Sequence, residues 1–365
     1  MRIVQIIPTL DQAGAEKQMV LLASRLPRDR FDVHVCVLTR LGPLERQLKE
    51  AAIEVTLIGK RGKLDPVAMG RLYRYLVRLR PDLVHTWIFA ANSYGRLAAR
   101  WAGVPLIVAG ERCVDRWKSG YQLAIDRYLA RFTHRIATNS QGVVDFYVQH
   151  GLPQEKFVVI PNGIEVPRAA GSSREELLRE LGLPSGIRLI GAAGRLWPQK
   201  RYPDMIVATD LLKVLRDDVH LLVFGDGPER VRLERLTEEL RVNDRVHWLG
   251  HRSDLDRWLP HLDCFWNASG YEGQSNALME AMAWGIPVVV SDIPGNRELV
   301  TDGRTGLVFP VGDRTQLAAL TRRVLDDPEW ARQLGQAARA CMLREFSVEK
   351  MVERYIRLYE SMAQG

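Results

Sequence analysis

The sequence predicts an α/β fold made of two doubly wound domains. Three observations lead to this prediction. Short apolar runs alternate with helical stretches, a pattern typical of parallel sheets covered on both faces. The alternation stops at a polar stretch, residues 168–176, and then starts again. The length of 365 residues is enough for two cores rather than one.

In the first half, predicted strands and helices follow one another in strict alternation. The strands are expected at residues 2–10, 31–38, 54–59, 82–87, 105–110, 135–140 and 156–164. The helices are expected at residues 15–26, 43–51, 66–80, 91–101 and 122–131. We place a domain boundary between residues 168 and 169. A new helix follows it, with Ser172 or Ser173 as its N-cap and Glu175 or Glu176 three residues on.

The second half repeats the alternation and predicts a second Rossmann-like domain over residues 169–346. Its strands are expected at residues 187–194, 219–227, 245–250, 262–269, 287–292 and 306–313. The last segment, 347–365, has the pattern of an amphipathic helix, with Met351, Tyr355, Leu358 and Met362 on one stripe. Two such domains facing one another would leave a cleft between them. Ligands of open α/β sheets bind beyond the carboxyl ends of the strands, so we examine the loops there.

The composition excludes several classes of protein. With 46% apolar and 26% charged residues, the chain is an ordinary globular one. Its four cysteines lie far apart and show no metal-ligand spacing, so neither structural zinc nor redox chemistry is expected: Cys36, Cys113, Cys264 and Cys341. No apolar run has the length of a membrane span, and the opening run breaks at Pro8, too early for a signal peptide. We expect a cytoplasmic protein.

The positive charge is concentrated in the first half. Residues 1–165 carry 24 Lys and Arg against 15 Asp and Glu, a net charge of +9, whereas residues 166–365 carry 27 against 29, a net charge of −2. This imbalance indicates an anionic partner for the first half, such as a membrane surface, a phosphate-bearing substrate or nucleic acid. Solvated, arginine-rich helix faces are the alternative.

The densest polar motif is SGYEGQSNALMEAMAWGIPVVVSD, residues 269–292, which follows a predicted buried strand. Its glycine-rich turn leads into a helix that begins near Asn276 or Ala277, and such a turn offers backbone amides to a pyrophosphate. Glu272 and Glu280, eight residues apart, suit sugar or ribose hydroxyls better than phosphate. The alternative is an ordinary capped helix with Glu280 on its surface.

Two further loops follow predicted strands. GAAGRLWPQKRY, residues 191–202, brings Arg195 and Lys200, whose charges could neutralise a diphosphate. TLDQAGAEKQ, residues 9–18, places Gly14 at a helix start, where a backbone can approach a ligand closely. No strand is followed by a G-x-G-x-x-G pattern, which disfavours a nicotinamide or flavin enzyme.

Two other polar positions can be explained by an ordinary structural role as well as by a functional one. His85 ends a predicted strand and would project toward the cleft, although a histidine in such a strand is more often a hydrogen-bonded core residue. Asp254 and Asp256 form a D-x-D pattern, but their position before a helix favours an N-cap role for Asp254. We therefore predict no metal site.

The spacing of Glu272 and Glu280 resembles the E-x7-E motif of the retaining glycosyltransferases of family 4, the group 1 glycosyltransferases with the GT-B fold. The resemblance covers nearly the whole chain, because further segments follow in the family's order: GAEKQ, PDLVHTW, VVIPNGI, GRLWPQK, VFGDGPER, VHWLGHRSDL, EGQSNALMEAMAWGIPVVVSDIPGNRELV and DGRTGLVFPVGD. It implies that helix 347–365 crosses back onto the first domain.

The resemblance also implies roles for individual residues. Arg195 and Lys200 would hold the donor pyrophosphate, Glu280 the ribose and Glu272 the donor sugar. The backbone amides of four successive residues would complete the donor site, with Gly14 close to the phosphates: Gly273, Gln274, Ser275 and Asn276. Glu272, Arg195, Lys200 and His85 are thus the expected catalytic set.

One position departs from the family pattern. The family often has H-x-H after its fourth strand, and its second histidine is the one usually nearest the donor sugar. This chain has His85 and Trp87 at these positions. Either His85 takes over a polar contact or Trp87 shapes the sugar pocket by stacking.

The implied function is retaining transfer from a nucleoside-diphosphate sugar, with UDP the usual nucleotide of the family, to a hydroxyl of a glycan or lipid-linked acceptor. Cell-surface polysaccharide or glycolipid synthesis would be its setting, with no cofactor and no metal. The alternatives are a nucleotide-sugar 2-epimerase or a glycogen-type phosphorylase of the same architecture, and a non-enzymatic sugar-binding protein. Arg71, Arg74 and Arg78 share one face of a predicted helix and suit a peripheral contact with an anionic membrane. Nucleic acid is not an expected partner, because no binding module accompanies the charge.

Overall fold

The structure is a computed structural model that describes residues 1–167 and 171–364. Its packing divides the chain into two units. Unit 1 comprises Met1–Gly163 together with the chain from Val348 onward, and unit 2 comprises Ile164–Ser347. The predicted boundary between residues 168 and 169 lies outside the described residues. Each unit is a parallel sheet with helices, which confirms the predicted fold class.

Unit 1 contains a seven-stranded sheet in the order β3-β2-β1-β4-β5-β6-β7, and every pairing in it is parallel. The strands are β1 (Arg2–Thr9), β2 (Asp32–Arg40), β3 (Glu54–Leu57), β4 (Leu83–Trp87), β5 (Leu106–Glu111), β6 (Arg135–Thr138) and β7 (Phe157–Val159). The chain builds outward from β1 to β3 and then returns past β1 to β4. The carboxyl ends of β1 and β4 are therefore neighbours.

The helices of unit 1 lie between these strands. They are α1 (Gly14–Arg25), α2 (Glu45–Glu50), α3 (Pro66–Leu79), α4 (Ile88–Trp101), α5 (Gly120–Ala130) and α6 (Gln141–Gln149). α3 begins where the Asp65 carboxylate accepts a hydrogen bond from the amide of Ala68 over 2.9 Å, with Pro66 at the first helical position. α4 begins three residues earlier than predicted, because Ile88 adopts a positive φ and turns the chain directly from β4 into the helix.

Unit 2 contains a six-stranded sheet in the order β10-β9-β8-β11-β12-β13. The strands are β8 (Arg188–Ala193), β9 (Val219–Phe224), β10 (Val246–Gly250), β11 (Cys264–Asn267), β12 (Val288–Ser291) and β13 (Leu307–Phe309). All six predicted strands of this half are present, with shorter bounds. They are apolar and largely buried because helices cover a parallel sheet on both faces.

The helices of unit 2 are α7 (Arg174–Glu180), α8 (Tyr202–Leu215), α9 (Arg230–Glu239), α10 (Leu255–Trp258), α11 (Asn276–Trp284), α12 (Pro294–Arg297), α13 (Arg314–Asp326) and α14 (Pro328–Glu345). Ser173 and Glu176 form a capping box at the start of α7, as predicted. Asp254 lies at the predicted N-cap position of α10, but its side chain makes no capping hydrogen bond. Its carboxylate instead accepts two hydrogen bonds from Arg252, at 2.8 and 2.7 Å, so it does not cap α10.

The last described helix, α15 (Val348–Gln364), belongs to unit 1. It packs against α1 and buries Met351, Tyr355, Leu358 and Tyr359 in the same core as β1 and β2. Met362 is partly buried beside them. The apolar stripe seen in the sequence is thus the face that joins the unit 1 core. Among the described residues, no helix combines the length and the apolar character needed to cross a membrane.

Candidate active site

The carboxyl ends of β8 and β11 lie side by side in the unit 2 sheet. The strand order reverses at this pair, because the chain runs outward from β8 to β10 and then returns to β11. Open α/β sheets bind their ligands at such a reversal point. The structure therefore brings together the loops 194–201 and 268–275, which carry the two polar motifs of the second half.

A charged pair joins these two loops. The Lys200 ammonium contacts Oε1 of Glu272, and the hydroxyl of Ser269 donates to the same oxygen over 2.9 Å. Gln199 Nε2 donates to Oε2 over 3.2 Å. The side chains of Lys200 and Glu272 are only 18% and 9% exposed. Their attraction is thus less screened by water than that of a surface ion pair.

Gln199 links the loops through its backbone as well. Its side-chain amide donates to the carbonyl of Tyr271 over 2.8 Å, and its own carbonyl accepts from the amide of Gly270 over 2.9 Å. The sequence analysis missed Gln199 and Ser269. Each lies within three residues of a residue that was identified, but nothing in the sequence shows that their polar atoms meet.

A third loop, which follows β12, hydrogen-bonds to the loop 268–275. Ser291, at the end of β12, donates to the carbonyl of Ser269 over 2.6 Å, and the Asn296 amide donates to the carbonyl of Ser291 over 2.9 Å. α12 approaches so closely that a Cβ on Gly295 would lie 1.8 Å from the carbonyl oxygen of Gly273. Only glycine fits at position 295 without moving the loop.

The loop after β8 is also in close backbone contact with a neighbouring loop, again at a glycine. A Cβ on Gly225, which has a φ of +145°, would lie 2.0 Å from the carbonyl oxygen of Gly194. The buried Tyr202 hydroxyl donates to that oxygen over 2.9 Å, and burial raises the pKa of this hydroxyl. Arg195, the residue after Gly194, is exposed to solvent, and its guanidinium lies 4.4 Å from the centroid of the Trp197 ring. The loop backbone is thus fixed, while the Arg195 charge faces solvent.

α11 begins directly after the loop 268–275. The Ser275 hydroxyl accepts from the amide of Leu278 over 3.5 Å, which makes Ser275 the N-cap and Asn276 the first helical residue, as predicted. Gly273, Gln274 and Ser275 are buried. A helix N-terminus presents amides and a partial positive charge, and both favour an anion. Glu280 is half-buried on α11, one turn after Asn276 and on the same side.

Unit 1 has an equivalent reversal point between β1 and β4. Gly14 is the first residue of α1, in the loop that follows β1. Two residues later, Glu16 is 6% exposed and accepts a hydrogen bond from the Thr9 hydroxyl over 3.3 Å. Burial raises the pKa of the Glu16 carboxyl. Glu16 was not identified in the sequence, where it has the position of an ordinary first-turn acid.

His85 and Trp87 are both fully buried in unit 1. His85 is the third residue of β4 rather than its end, and its Nδ1 lies 2.8 Å from the Tyr359 hydroxyl. The Trp87 indole donates to Gln5 over 2.7 Å, and the Gln5 amide donates to the same Tyr359 hydroxyl over 3.2 Å.

Burial, followed by the charge of Arg112, lowers the pKa of His85 well below its usual value. The ring is therefore neutral at pH 7. Neither the His85 nor the Trp87 ring is exposed to solvent in the structure. A contact of either ring with a sugar stays a prediction.

The described residues place the predicted donor-side residues of unit 2 around one sheet edge. Lys200 and Glu272 touch, and the backbone of 273–276 forms the adjoining turn into α11. Arg195 lies on the same loop as Lys200 without joining the Lys200–Glu272 pair through any described contact. Within residues 1–167 and 171–364, no three His, Cys, Asp or Glu side chains are grouped so that they could hold a metal ion.

Two family models match the chain. The model described as "Glycosyl transferases group 1" matches residues 173–340, and the model described as "Glycosyltransferase Family 4" matches residues 13–168. Together they cover most of both units. The matched ranges include the loops 194–201 and 268–275 as well as Gly14 and β4.

Known proteins similar to this chain include two curated relatives. A UDP-Gal:alpha-D-GlcNAc-diphosphoundecaprenol alpha-1,3-galactosyltransferase of Escherichia coli is 27% identical, over 98% of this chain and 96% of the relative. A GDP-mannose-dependent alpha-mannosyltransferase of Mycobacterium tuberculosis is 30% identical, over 67% of this chain and 64% of the relative. Among solved structures, Anabaena HepE in complex with UDP-glucose is 24% identical, with a TM-score of 0.88 over 99% of this chain and 100% of the other. This last likeness shows the fold.

Proposed function

This chain belongs to the group 1 glycosyltransferases of family 4 and is a glycosyltransferase, and we propose that it transfers a sugar from a UDP-sugar with retention of the anomeric configuration. The acceptor is a hydroxyl of a glycan or of a lipid-linked sugar, in cell-surface polysaccharide or glycolipid synthesis. The observation that carries the proposal is the Lys200–Glu272 pair, which joins two loops at the reversal point of the unit 2 sheet.

The proposed reaction breaks the bond between the anomeric carbon and the donor diphosphate and forms a bond from that carbon to the acceptor oxygen. The proton of the acceptor hydroxyl passes to the departing diphosphate. Negative charge accumulates on the departing diphosphate. Lys200, Arg195 and the amides at the start of α11 stabilise this charge, and such preorganised donors act most strongly where charge develops. Glu272 binds hydroxyls of the donor sugar, and Glu280 binds the ribose.

The proposed nucleotide is UDP rather than GDP. The Escherichia coli relative that matches nearly the whole chain carries UDP-Gal in its name, and the solved structure of similar fold holds UDP-glucose. The relative named for GDP-mannose matches only two thirds of this chain. GDP-mannose is therefore the second candidate donor in the assay below.

The proposed acceptor side is unit 1, with a peripheral contact to an anionic membrane. The Escherichia coli relative is named for a diphosphoundecaprenol-linked acceptor. Arg71, Arg74 and Arg78 are all exposed on α3, and Arg71 also donates to the carbonyl of Ile58 over 2.8 Å. Each charge near an anionic surface contributes about 1 kcal/mol. Replacing all three arginines with glutamine should weaken binding to anionic vesicles, and equal binding before and after the change would remove these arginines from the proposal.

The proposed chemistry uses no cofactor and no metal ion, because two cationic side chains and a helix N-terminus are available to neutralise the diphosphate. The proposal predicts that activity survives a chelator of divalent ions. A nucleotide-sugar 2-epimerase and a non-enzymatic sugar-binding protein remain the competing functions for the same site.

The test is nucleotide release by the purified protein from UDP-glucose, UDP-galactose, UDP-N-acetylglucosamine and GDP-mannose, with and without polyprenyl-diphosphate-linked sugars. The expected result is acceptor-dependent release of UDP and a product whose anomeric proton shows the donor's configuration by NMR. An inverted product would overturn retention. Epimerised donor without transfer would favour the epimerase, and donor binding without turnover would favour the binding protein.

A further inference from the structure

α5 exposes a row of large apolar side chains. Tyr121, Ile125 and Tyr128 are 64%, 37% and 52% exposed. Their spacing of four and three residues places them on one side of the helix. Trp117, in the turn that precedes α5, is 51% exposed, and its indole donates to the Asp115 carboxylate over 3.0 Å. We call these four residues the aromatic stripe.

The aromatic stripe continues onto neighbouring residues. The rings of Tyr128 and Phe132 meet edge to face, with their centroids 5.4 Å apart. α4 packs against α5 and ends in Trp101, which is 57% exposed. The Arg100 guanidinium lies 5.5 Å from the centroid of the Phe132 ring. Single exposed apolar residues are common, but a cluster of large exposed apolar side chains along one helix face indicates an interaction site.

The exposed lysine, arginine and carboxylate side chains of residues 116–135 are all positive. Residues 116–135, all of which the structure describes, expose four arginines: Arg116, Arg127, Arg131 and Arg135. Asp126 is the one carboxylate in this range, and it is fully buried. It receives hydrogen bonds from Arg96 over 2.7 Å and from Lys118 over 2.9 Å. The fold therefore places the acid inside and leaves the arginines outside.

The adjoining helices extend this basic layer. α3 and α4 contain no Asp or Glu, and α4 packs against both α3 and α5. The arginine face of α3 and the aromatic stripe of α5 thus belong to one helical layer of unit 1. The three helices together present aromatic rings among exposed arginines, with no exposed carboxylate inside their bounds.

We propose that the aromatic stripe is a membrane-docking element that seats its rings among the headgroups and upper acyl chains of an anionic bilayer. Trp and Tyr favour this zone because one end of each ring system is apolar and the other polar. Arginines flanking an apolar helix face add attraction to anionic headgroups. A second copy of this chain is a poorer occupant, because pairing the same face would bring like charges together.

This inference deepens the membrane contact of the proposed function by naming the segment that enters the lipid. It concerns binding alone and uses neither donor nor acceptor. A failure of the glycosyl-transfer assay and a failure of lipid docking are therefore separate results.

The test compares the wild-type protein with the variant Tyr121→Ser/Ile125→Ser/Tyr128→Ser on vesicles of phosphatidylcholine with and without phosphatidylglycerol. Because the replaced side chains are exposed, the fold should survive, and thermal unfolding followed by circular dichroism checks this. The affinity for phosphatidylglycerol vesicles should fall about tenfold or more. Val214→Ser/Val231→Ser is the matched control, since these valines are 81% and 78% exposed on unit 2, and it should bind as the wild type does.

A second measurement locates the aromatic stripe in the bilayer. Brominated acyl chains should quench part of the protein's tryptophan fluorescence, and Trp117→Phe should remove much of that quenching. Unchanged vesicle affinity in the triple variant would overturn the proposal. A wild-type dimer that the triple variant converts to a monomer in sedimentation would also overturn it, in favour of self-association.

Discussion

Lys200 is positioned by a single 3-10 turn, Pro198–Lys200, that directs its ammonium at Glu272 on the neighbouring loop. The turn ends at Arg201 in the left-handed region, and Arg201 pairs with Asp204 rather than with Glu272. The adjacent cations Lys200 and Arg201 therefore pair with different carboxylates. The proposed donor site depends on the first of them.

Lys200→Ala and Arg195→Ala should each lower kcat/KM for transfer, because both charges act on the departing diphosphate. The fall should correspond to a loss of about 2–3 kcal/mol of transition-state stabilisation. The measurement is steady-state nucleotide release, with thermal unfolding recorded for each variant. Arg235→Ala is the matched control, since Arg235 is 78% exposed on α9 and pairs only with Glu239 among the described contacts. Near-wild-type turnover in both test variants would contradict the donor-site assignment.

The two acids of the E-x7-E pair should differ in their effects. Glu280→Gln should weaken donor binding measured by calorimetry, because a ribose contact is the same in the ground state and the transition state. Glu272→Gln should mainly lower kcat, because contacts to the sugar tighten as charge develops and because the Lys200 partner is weakened. Glu239→Gln on α9 serves as the exposed control. Unchanged donor affinity in Glu280→Gln would contradict the proposed contact between Glu280 and the ribose.

At the scale of single elements, α12 is a helix of one turn whose placement depends on one glycine. Gly295→Ala would push a methyl group into the Gly273 carbonyl, and overpacking against backbone costs about 1–3 kcal/mol. Because the displaced loop carries Glu272, we expect weaker donor binding together with lower stability. Gly70→Ala on α3 is the matched control, since a Cβ there meets nothing within 4 Å and should leave donor binding unchanged. Equal donor affinity in both variants would show that the loop does not depend on α12.

The β9–β10 edge of the unit 2 sheet carries a pair of stacked histidines. His220 Nδ1 lies 2.8 Å from His247 Nε2. Burial, followed by the nearby His247 and Arg245, lowers the pKa of His220 to about 4. The unfolded chain binds a proton at its ordinary pKa of about 6.5, whereas the folded chain does not until pH falls to about 4. The free energy of unfolding should therefore decrease as pH falls through this window, by of order 1 kcal/mol per pH unit.

Denaturant unfolding at pH 7 and pH 5 measures this loss. His220→Gln should reduce the difference between the two pH values, and His251→Gln, at an exposed position, should not. The same pH dependence in wild type and His220→Gln would show that other groups are responsible.

For the whole molecule, α15 is a structural part of unit 1 rather than an appendage. It buries six side chains, and burying each large apolar one contributes about 1.5–3 kcal/mol. This total is comparable to the whole stability of an ordinary domain. Removal of residues 348–365 should therefore unfold unit 1 and leave unit 2 folded.

Hydrogen exchange followed by mass spectrometry distinguishes the two units in that experiment. Amides of β1 and β2 should lose protection, while those of β8 and β9 keep it. Tyr359→Phe is a milder variant that leaves His85 and Gln5 without their shared hydroxyl, at a cost of about 1–3 kcal/mol to the same unit. Protection in β1 that survives the truncation would contradict the role of α15.

The sequence predicts the fold well because buried parallel strands are apolar along most of their length, as in β12 and β13. It does not predict α6, whose Val143, Val144, Phe146 and Tyr147 suit a strand as well as a helix. The loops of the candidate site are also predictable, because they follow neighbouring strands. The roles of Gln199, Ser269 and Asn296 are not, since each depends on a close approach of backbones that only the folded chain shows.

The return of the chain to unit 1 has a consequence for synthesis on the ribosome. Unit 2 is continuous in sequence, so it can fold as soon as it emerges, whereas unit 1 must wait for Val348 and the residues after it. At the usual rate of translation, the 184 residues of Ile164–Ser347 take roughly 10–40 seconds to make. Throughout that time, the apolar face of β1, β2 and α1 that α15 later covers is open to solvent. In the nascent chain, this face is the apolar surface most open to aggregation or to binding by a chaperone.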